Sequence, residues 1–109
     1  MRNKYKVQLH IKNYVKKELY DYKKNKNKLN EIQLNDTSSQ ALLIIIQRIQ
    51  RIEKVYNSLS REEQKITEKI FFEKCNQPYM ETNYYISKDM YYNNMNKTIY
   101  LVAIELELM

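Results

Sequence analysis

Apolar side chains recur along this chain at three- and four-residue intervals, a spacing that predicts helices rather than strands. Val7, Ile11, Tyr14, Val15, Leu19 and Tyr22 line one side of a first helix from about Lys4 to Lys24, with its lysines mostly on the other side. The polar runs K-N-K-N-K and L-N-D-T-S-S-Q then bracket a weak connector holding Leu29, Ile32 and Leu34, which reads as a loop. Thr37, Ser38 or Ser39 can cap a second helix, in which Ala41, Leu42, Ile45, Ile49, Ile52, Val55 and Tyr56 make a continuous stripe. The run L-L-I-I-I inside it is rich in β-branched residues, but the recurrence and the length decide for helix.

The second half is better punctuated. Ser60 followed by Glu63 forms a capping box, and Leu59 stands where a hydrophobic staple packs, so a third helix begins at Arg61. Ile66, Ile70 and Phe71 share one face of it, and it ends near Cys75 and Asn76 because Pro78 disfavours helical geometry in Gln77. Proline is welcome at a helix start, so residues 78–83 read as a short fourth helix. Tyr84, Tyr85 and Ile86 form a connector. Ser87 then caps a fifth helix that runs nearly to Met109, with Tyr91, Met95, Thr98, Val102 and Leu106 facing inward. The expected fold is all-α, a small helical bundle. Residues 1–36 form a basic N-terminal helix and connector, and residues 37–109 form a helical bundle, the two making one compact unit.

Composition narrows this picture. The chain has 109 residues, 43% of them apolar, which is enough for one modest core. It has no glycine and one proline, so tight hairpins find few suitable residues. Cys75 and His10 are the only residues of their types, which excludes an internal disulfide and the usual zinc ligand sets. No cofactor and no metal are expected. Catalysis is not expected either. Cys75 has only the distant His10 as an imidazole partner, the paired glutamates are helix charges, and a glycine-free chain has no phosphate-cradling loop. The longest apolar run, Ala41 to Ile46, is far too short for a bilayer span, and the expected location is cytoplasmic.

The net charge of +6 is unevenly spread. Residues 1–30 carry ten basic side chains against Glu18 and Asp21, whereas residues 61–109 carry six basic against eight acidic groups. Such a gradient favours contact between the N-terminal segment and a polyanion, although a solvated lysine-rich face would look the same.

A short helix, a tight connector and a long capped helix describe a helix-turn-helix over about residues 78–109, or an ordinary corner in a bundle. With no glycine in the turn, Tyr84 or Tyr85 must adopt an uncommon backbone conformation. The segment I-E-K-V-Y-N-S-L-S-R-E-E-Q-K-I-T-E-K-I-F-F followed by Y-Y-I-S-K-D-M-Y-Y-N-N-M-N-K-T-I-Y-L-V-A-I-E-L-E-L resembles the C-terminal half of ArpU/RinA-type phage transcriptional regulators. Those proteins resemble region four of bacterial sigma factors. The upstream K-E-L-Y-D-Y-K-K-N-K-N-K-L resembles their N-terminal helix. The resemblance implies a sigma-region-four-like helix-turn-helix that regulates transcription on duplex DNA, of phage or mobile-element origin, with RNA polymerase as a further partner. Action as a homodimer is left open. Where the family often has threonine, arginine and alanine after the I-S, this chain has Met90, Asn93 and Thr98, so its recognition helix offers hydrogen bonds more than charge.

On that reading, Lys88, Asp89, Tyr92, Asn93 and Asn96 face base edges. Asparagine can bond adenine bidentately and lysine can reach guanine acceptors. Phosphate contacts are expected from Lys16, Lys17, Lys74, Gln77, Tyr79, Thr82 and Lys97. The acidic balance of the C-terminal half is reconciled if Glu62, Glu63, Glu105 and Glu107 lie remote from the DNA face and the N-terminal lysines supply the charge. The competing reading is a non-catalytic, helical protein–protein interaction or antitoxin-like protein whose Leu42–Val55 stripe docks another chain. That stripe is also what a chain of this size needs for its own core.

Overall fold

In the second half of this chain, helices start at short polar residues whose side chains accept from backbone amides, and left-handed residues follow at their finish. The computed structural model describes residues 5–34 and 40–109, and the side chains of 32–34, 40 and 41 are left aside. The helices are α1 (Leu9–Tyr20), α2 (Tyr22–Leu34), α3 (Gln40–Ser58), α4 (Arg61–Thr67), α5 (Gln77–Tyr84) and α6 (Lys88–Glu105), and no strand occurs among the described residues. The caps expected at Thr37, Ser38 and Ser39 fall outside the described residues.

The capping box at α4 forms in full. The Ser60 hydroxyl accepts from the Glu63 amide at 3.2 Å, and the Glu63 carboxylate accepts from the Ser60 amide at 2.9 Å. Ser87 caps α6 by accepting from the Met90 amide at 3.2 Å. At the other ends, Lys74, Tyr85 and Glu107 each take positive φ, at 57°, 56° and 61°. After each of them the next amide reaches back to the helix: Cys75 to the Lys69 carbonyl, Ile86 to Met80 and Leu108 to Ala103. Glycine normally fills this position. A glycine-free chain has to accept the steric cost of a β-carbon there, about 1–2 kcal/mol per residue.

Two expectations for the N-terminal half are corrected. The single helix from Lys4 to Lys24 is two helices that meet at Asp21, and the predicted loop after it is the body of α2. The break lets α1 bury Val15, Glu18 and Leu19 while α2 swings onto α3, where the Tyr22 hydroxyl donates to Glu53 at 2.5 Å and Lys26 pairs with the same carboxylate. K-N-K-N-K reads as a loop by polarity alone. It contains neither glycine nor proline, so nothing in it stops a helix.

The third segment is also less regular than its spacing implies. Past Thr67 the chain widens into a π-helical turn, Glu68–Phe72, closed by the Glu73 amide on the Glu68 carbonyl at 2.9 Å. This wide turn sends three consecutive apolar residues toward the interior. Ile70 and Phe71 are buried, and Phe72 stacks on Tyr22 with ring centroids 4.7 Å apart.

Helix α6 lies at the centre and touches α1, α3, α4 and α5. Tyr91, Met95, Thr98 and Val102 are buried as the spacing predicts, and Asn94, Ile99 and Ala103 join them to complete the inward face. Leu106 caps its C-terminus, so α6, expected to run nearly to Met109, stops at Glu105. Val15, Leu19, Ile52, Val55, Ile66, Ile70, Phe71 and Met80 complete the core around it. Full burial of side chains such as these stabilises by about 1.5–3 kcal/mol each. No described helix is long and apolar enough to cross a membrane.

Candidate nucleic-acid interface

The turn between α5 and α6 begins with a strained residue. Asn76 caps α5 by accepting from the Tyr79 amide at 2.9 Å, and Pro78 sits in the first turn, one position later than expected because Gln77 is already helical. Eight residues later Tyr85 takes the left-handed conformation, φ 56° and ψ 31°, which reverses the chain in three residues into the Ser87 cap. The Tyr85 side chain is 89% exposed. Sequence reasoning identified the difficulty at Tyr84 or Tyr85 but did not count Tyr85 among the candidate contacts.

Three buried attachments fix the rotation of α6 about its axis. The Tyr91 hydroxyl donates to the Cys75 carbonyl at 3.4 Å, and burial pushes that phenol's pKa up. The Asn94 carboxamide donates to the Thr67 hydroxyl at 3.0 Å, which in turn shares a hydrogen bond with the Thr98 hydroxyl at 3.2 Å. Met95 is buried as part of the core cluster. Asn94 is therefore a core residue. Its neighbours Asn93 and Asn96 lie on other sides of the helix.

With that rotation, Lys88, Asp89, Tyr92 and Asn93 are all exposed on the first two turns of α6, together with Met90. Tyr92 stands edge-on to Tyr91 with centroids 5.0 Å apart, so its hydroxyl is carried on a braced ring. Asn96 is half-buried one turn further on. Lys97 is committed to an ion pair with Glu63 at 2.6 Å, which holds the Glu63 carboxyl below the usual carboxylate range and raises the Lys97 ammonium.

Not all acids lie where the charge balance asked. Glu105 is at the far end of α6, paired with Lys54 at 3.0 Å. Glu62 and Glu63, however, border a hollow shared with Met90, Asn93 and Lys97, so they flank the exposed face instead of lying remote from it. The α5 side also offers less than its composition implied. Gln77 donates to Glu81 at 2.8 Å, Tyr79 packs edge-on against Tyr84, and Asn76 already occupies the Tyr79 amide. Lys74 and Thr82 are exposed beside them, with Lys74 on the left-handed residue between the π turn and α5.

Lysines of α1 and of the segment before it approach α6 on the other side of Tyr5, which also borders the Glu62–Glu63 hollow. Tyr5 meets Tyr100 with ring centroids 5.3 Å apart, and Lys6, Val7 and Lys12 line a hollow with Asn96 and Ile99. Lys16, one turn beyond Lys12, is half-buried, and Lys17 is exposed. The expected Lys16 and Lys17 thus lie on the helix that flanks α6, but Lys6 and Lys12 border it directly. No family model matches the chain, and comparison with curated proteins and with solved structures finds no significant match.

Proposed function

We propose that this chain is a duplex-DNA-binding regulator in which α5, the Tyr85 turn and α6 act as a helix-turn-helix of the sigma-region-four-like kind that the sequence resemblance implies. The observation that carries the reading is the face of α6. Buried Tyr91, Asn94 and Met95 hold the helix so that Lys88, Asp89, Tyr92 and Asn93 project together from its N-terminal turns. Side chains on those turns are the ones a recognition helix presents to base edges in the major groove. Asn93 suits adenine, Lys88 suits guanine or phosphate, and the Tyr92 and Tyr85 hydroxyls suit phosphate oxygens. Asn96 and the α1 lysines extend the surface along the same side, while Lys97, tied to Glu63, serves to brace α6 and not to contact phosphate.

The test is enrichment of binding sites from a random duplex pool, followed by titration of the winning site across salt. The wild type is expected to select a defined sequence and to lose affinity steeply as salt rises. Asn93→Ala and Lys88→Ala are expected to relax selectivity at one or two base pairs, each by about 1–3 kcal/mol of discrimination. No enrichment, with no duplex binding at low salt, would remove the reading.

A second reading rests on a different observation. Leu43 and Ile44 on α3 are more than half exposed, 57% and 51%, which favours a helical interaction protein docking through α3. On that reading the same pool returns no consensus, and Leu43→Lys abolishes a protein contact while leaving the fold intact.

A further inference from the structure

Several cations among the described residues are already neutralised. Lys26, Arg48, Lys54, Lys69 and Lys97 each hold a carboxylate. Lys6 and Lys12 do not, although they come together over α6. With Tyr5, Val7, Asn96 and Ile99 they enclose a hollow of about 220 Å³. Lys12 is half-buried there, and among the described residues no carboxylate pairs with either ammonium. Asn96 is half-buried as well, and its carboxamide makes no hydrogen bond to the described protein. Val7 and Ile99 give the hollow an apolar floor.

Two ammonium groups and one amide donor around a small concavity, with no acid among its lining residues, make a receptor for a compact tetrahedral oxyanion. A phosphate accepts several donors at once, and charge-assisted hydrogen bonds of this type are the stronger ones. Lys6 is exposed, but Lys12 and Asn96 are half-buried, and that partial burial lowers the competition from water and salt that weakens exposed lysines. We infer that the hollow between the N-terminal segment, α1 and α6 is a phosphate seat, formed by Lys6, Lys12 and Asn96, that takes one backbone phosphate of the DNA lying along α6. The inference rests on the DNA-binding reading and assigns Asn96 a different part in it. Asn96 holds the backbone and does not read a base, so the base-reading face ends at Asn93.

The experiment compares wild-type protein, Lys6→Gln/Lys12→Gln and the control Lys23→Gln/Lys24→Gln in duplex binding across a salt series. The control removes the same charge from α2. The seat predicts uniformly weaker binding to matched and mismatched duplexes for the first variant. It also predicts a log–log salt slope smaller by about one, with a markedly smaller effect in the control. Lys6→Arg/Lys12→Arg, which keeps the charge, should retain the slope. Equal effects of the two Gln variants would overturn the seat while leaving the DNA reading intact. A second arm titrates inorganic phosphate against the side-chain amide resonance of Asn96. If the wild type binds no duplex, the DNA reading is lost. A phosphate-dependent shift of Asn96, absent in Lys6→Gln/Lys12→Gln, then keeps the seat as a site for a free oxyanion, and no shift overturns it.

Discussion

The two flanks of α6 use the same kinds of residue for opposite purposes. On the α4 side, Asn94, Thr67 and Thr98 satisfy one another in the interior, and Lys97 is spent on Glu63. On the α1 side, Asn96, Lys6 and Lys12 line one hollow, and among the described residues no carboxylate pairs with the two lysines and nothing bonds the carboxamide. An asparagine and a lysine carry no functional meaning by type. What decides is whether the neighbouring helix supplies their partners, and here α4 does while α1 does not. The first flank fixes how α6 is rotated, and the second is left with hydrogen-bonding and charge capacity to offer a ligand.

The comparison breaks most visibly at Asn94. Asn94→Ala should lower stability by about 1–3 kcal/mol in urea unfolding, because it strips a buried hydroxyl of its donor and leaves a void. Asn93→Ala, one position earlier and exposed, should stay within about 0.5 kcal/mol. Equal losses at the two positions would mean that α6 is not held by the α4 flank as described.

Tyr85 gives the next largest effect and separates fold from function. Replacing it with glycine removes the left-handed penalty but adds freedom to the unfolded chain, so Tyr85→Gly should gain up to about 1 kcal/mol. On the proposed DNA-binding reading, duplex affinity should fall in the same variant, since the exposed ring is lost from the turn. A stabilised protein with unchanged affinity would show that Tyr85 is only a helix terminator.

The smallest effect is a pH dependence. The Glu63 carboxyl lies below its ordinary value of 4.5, held there first by the Lys97 hydrogen bond and also by Ser60. Its contribution is present above that ordinary value and is lost as the pH falls through the lowered one. Lys97 is raised from 10.5, so its contribution is lost only as the pH rises past that value. Lys97→Met should therefore cost less than about 1 kcal/mol between pH 5 and pH 10, with a shallower decline of stability below about pH 4.5 than the wild type shows.

Much of the second half was legible in the chain because its signals are local. Ser60 with Glu63, Ser87 ahead of α6, and the inward positions Tyr91, Met95, Thr98 and Val102 need only neighbours three or four residues away. The N-terminal half was less so. Its polar run forms a helix because α3 covers one side of it, and the break at Asp21 follows from two different packing surfaces, neither of which is written locally. The π turn is likewise a response to Phe71 and Phe72 needing the interior together. For the candidate interface, exposure of Lys88, Asp89, Tyr92 and Asn93 followed from helical geometry. The commitment of Lys97 to Glu63, the burial of Asn94 and the proximity of Lys6 and Lys12 to Asn96 depend on long-range contacts that spacing does not carry.

The most direct test of DNA binding by α6 and its α1 flank is amide chemical-shift mapping of the labelled protein against a duplex. The account predicts shifts concentrated at residues 85–93, at Asn96 and across residues 6–12, with Lys26, Lys54 and the exposed Leu43 and Ile44 unmoved. Shifts confined to α3, or none at low salt, would contradict it.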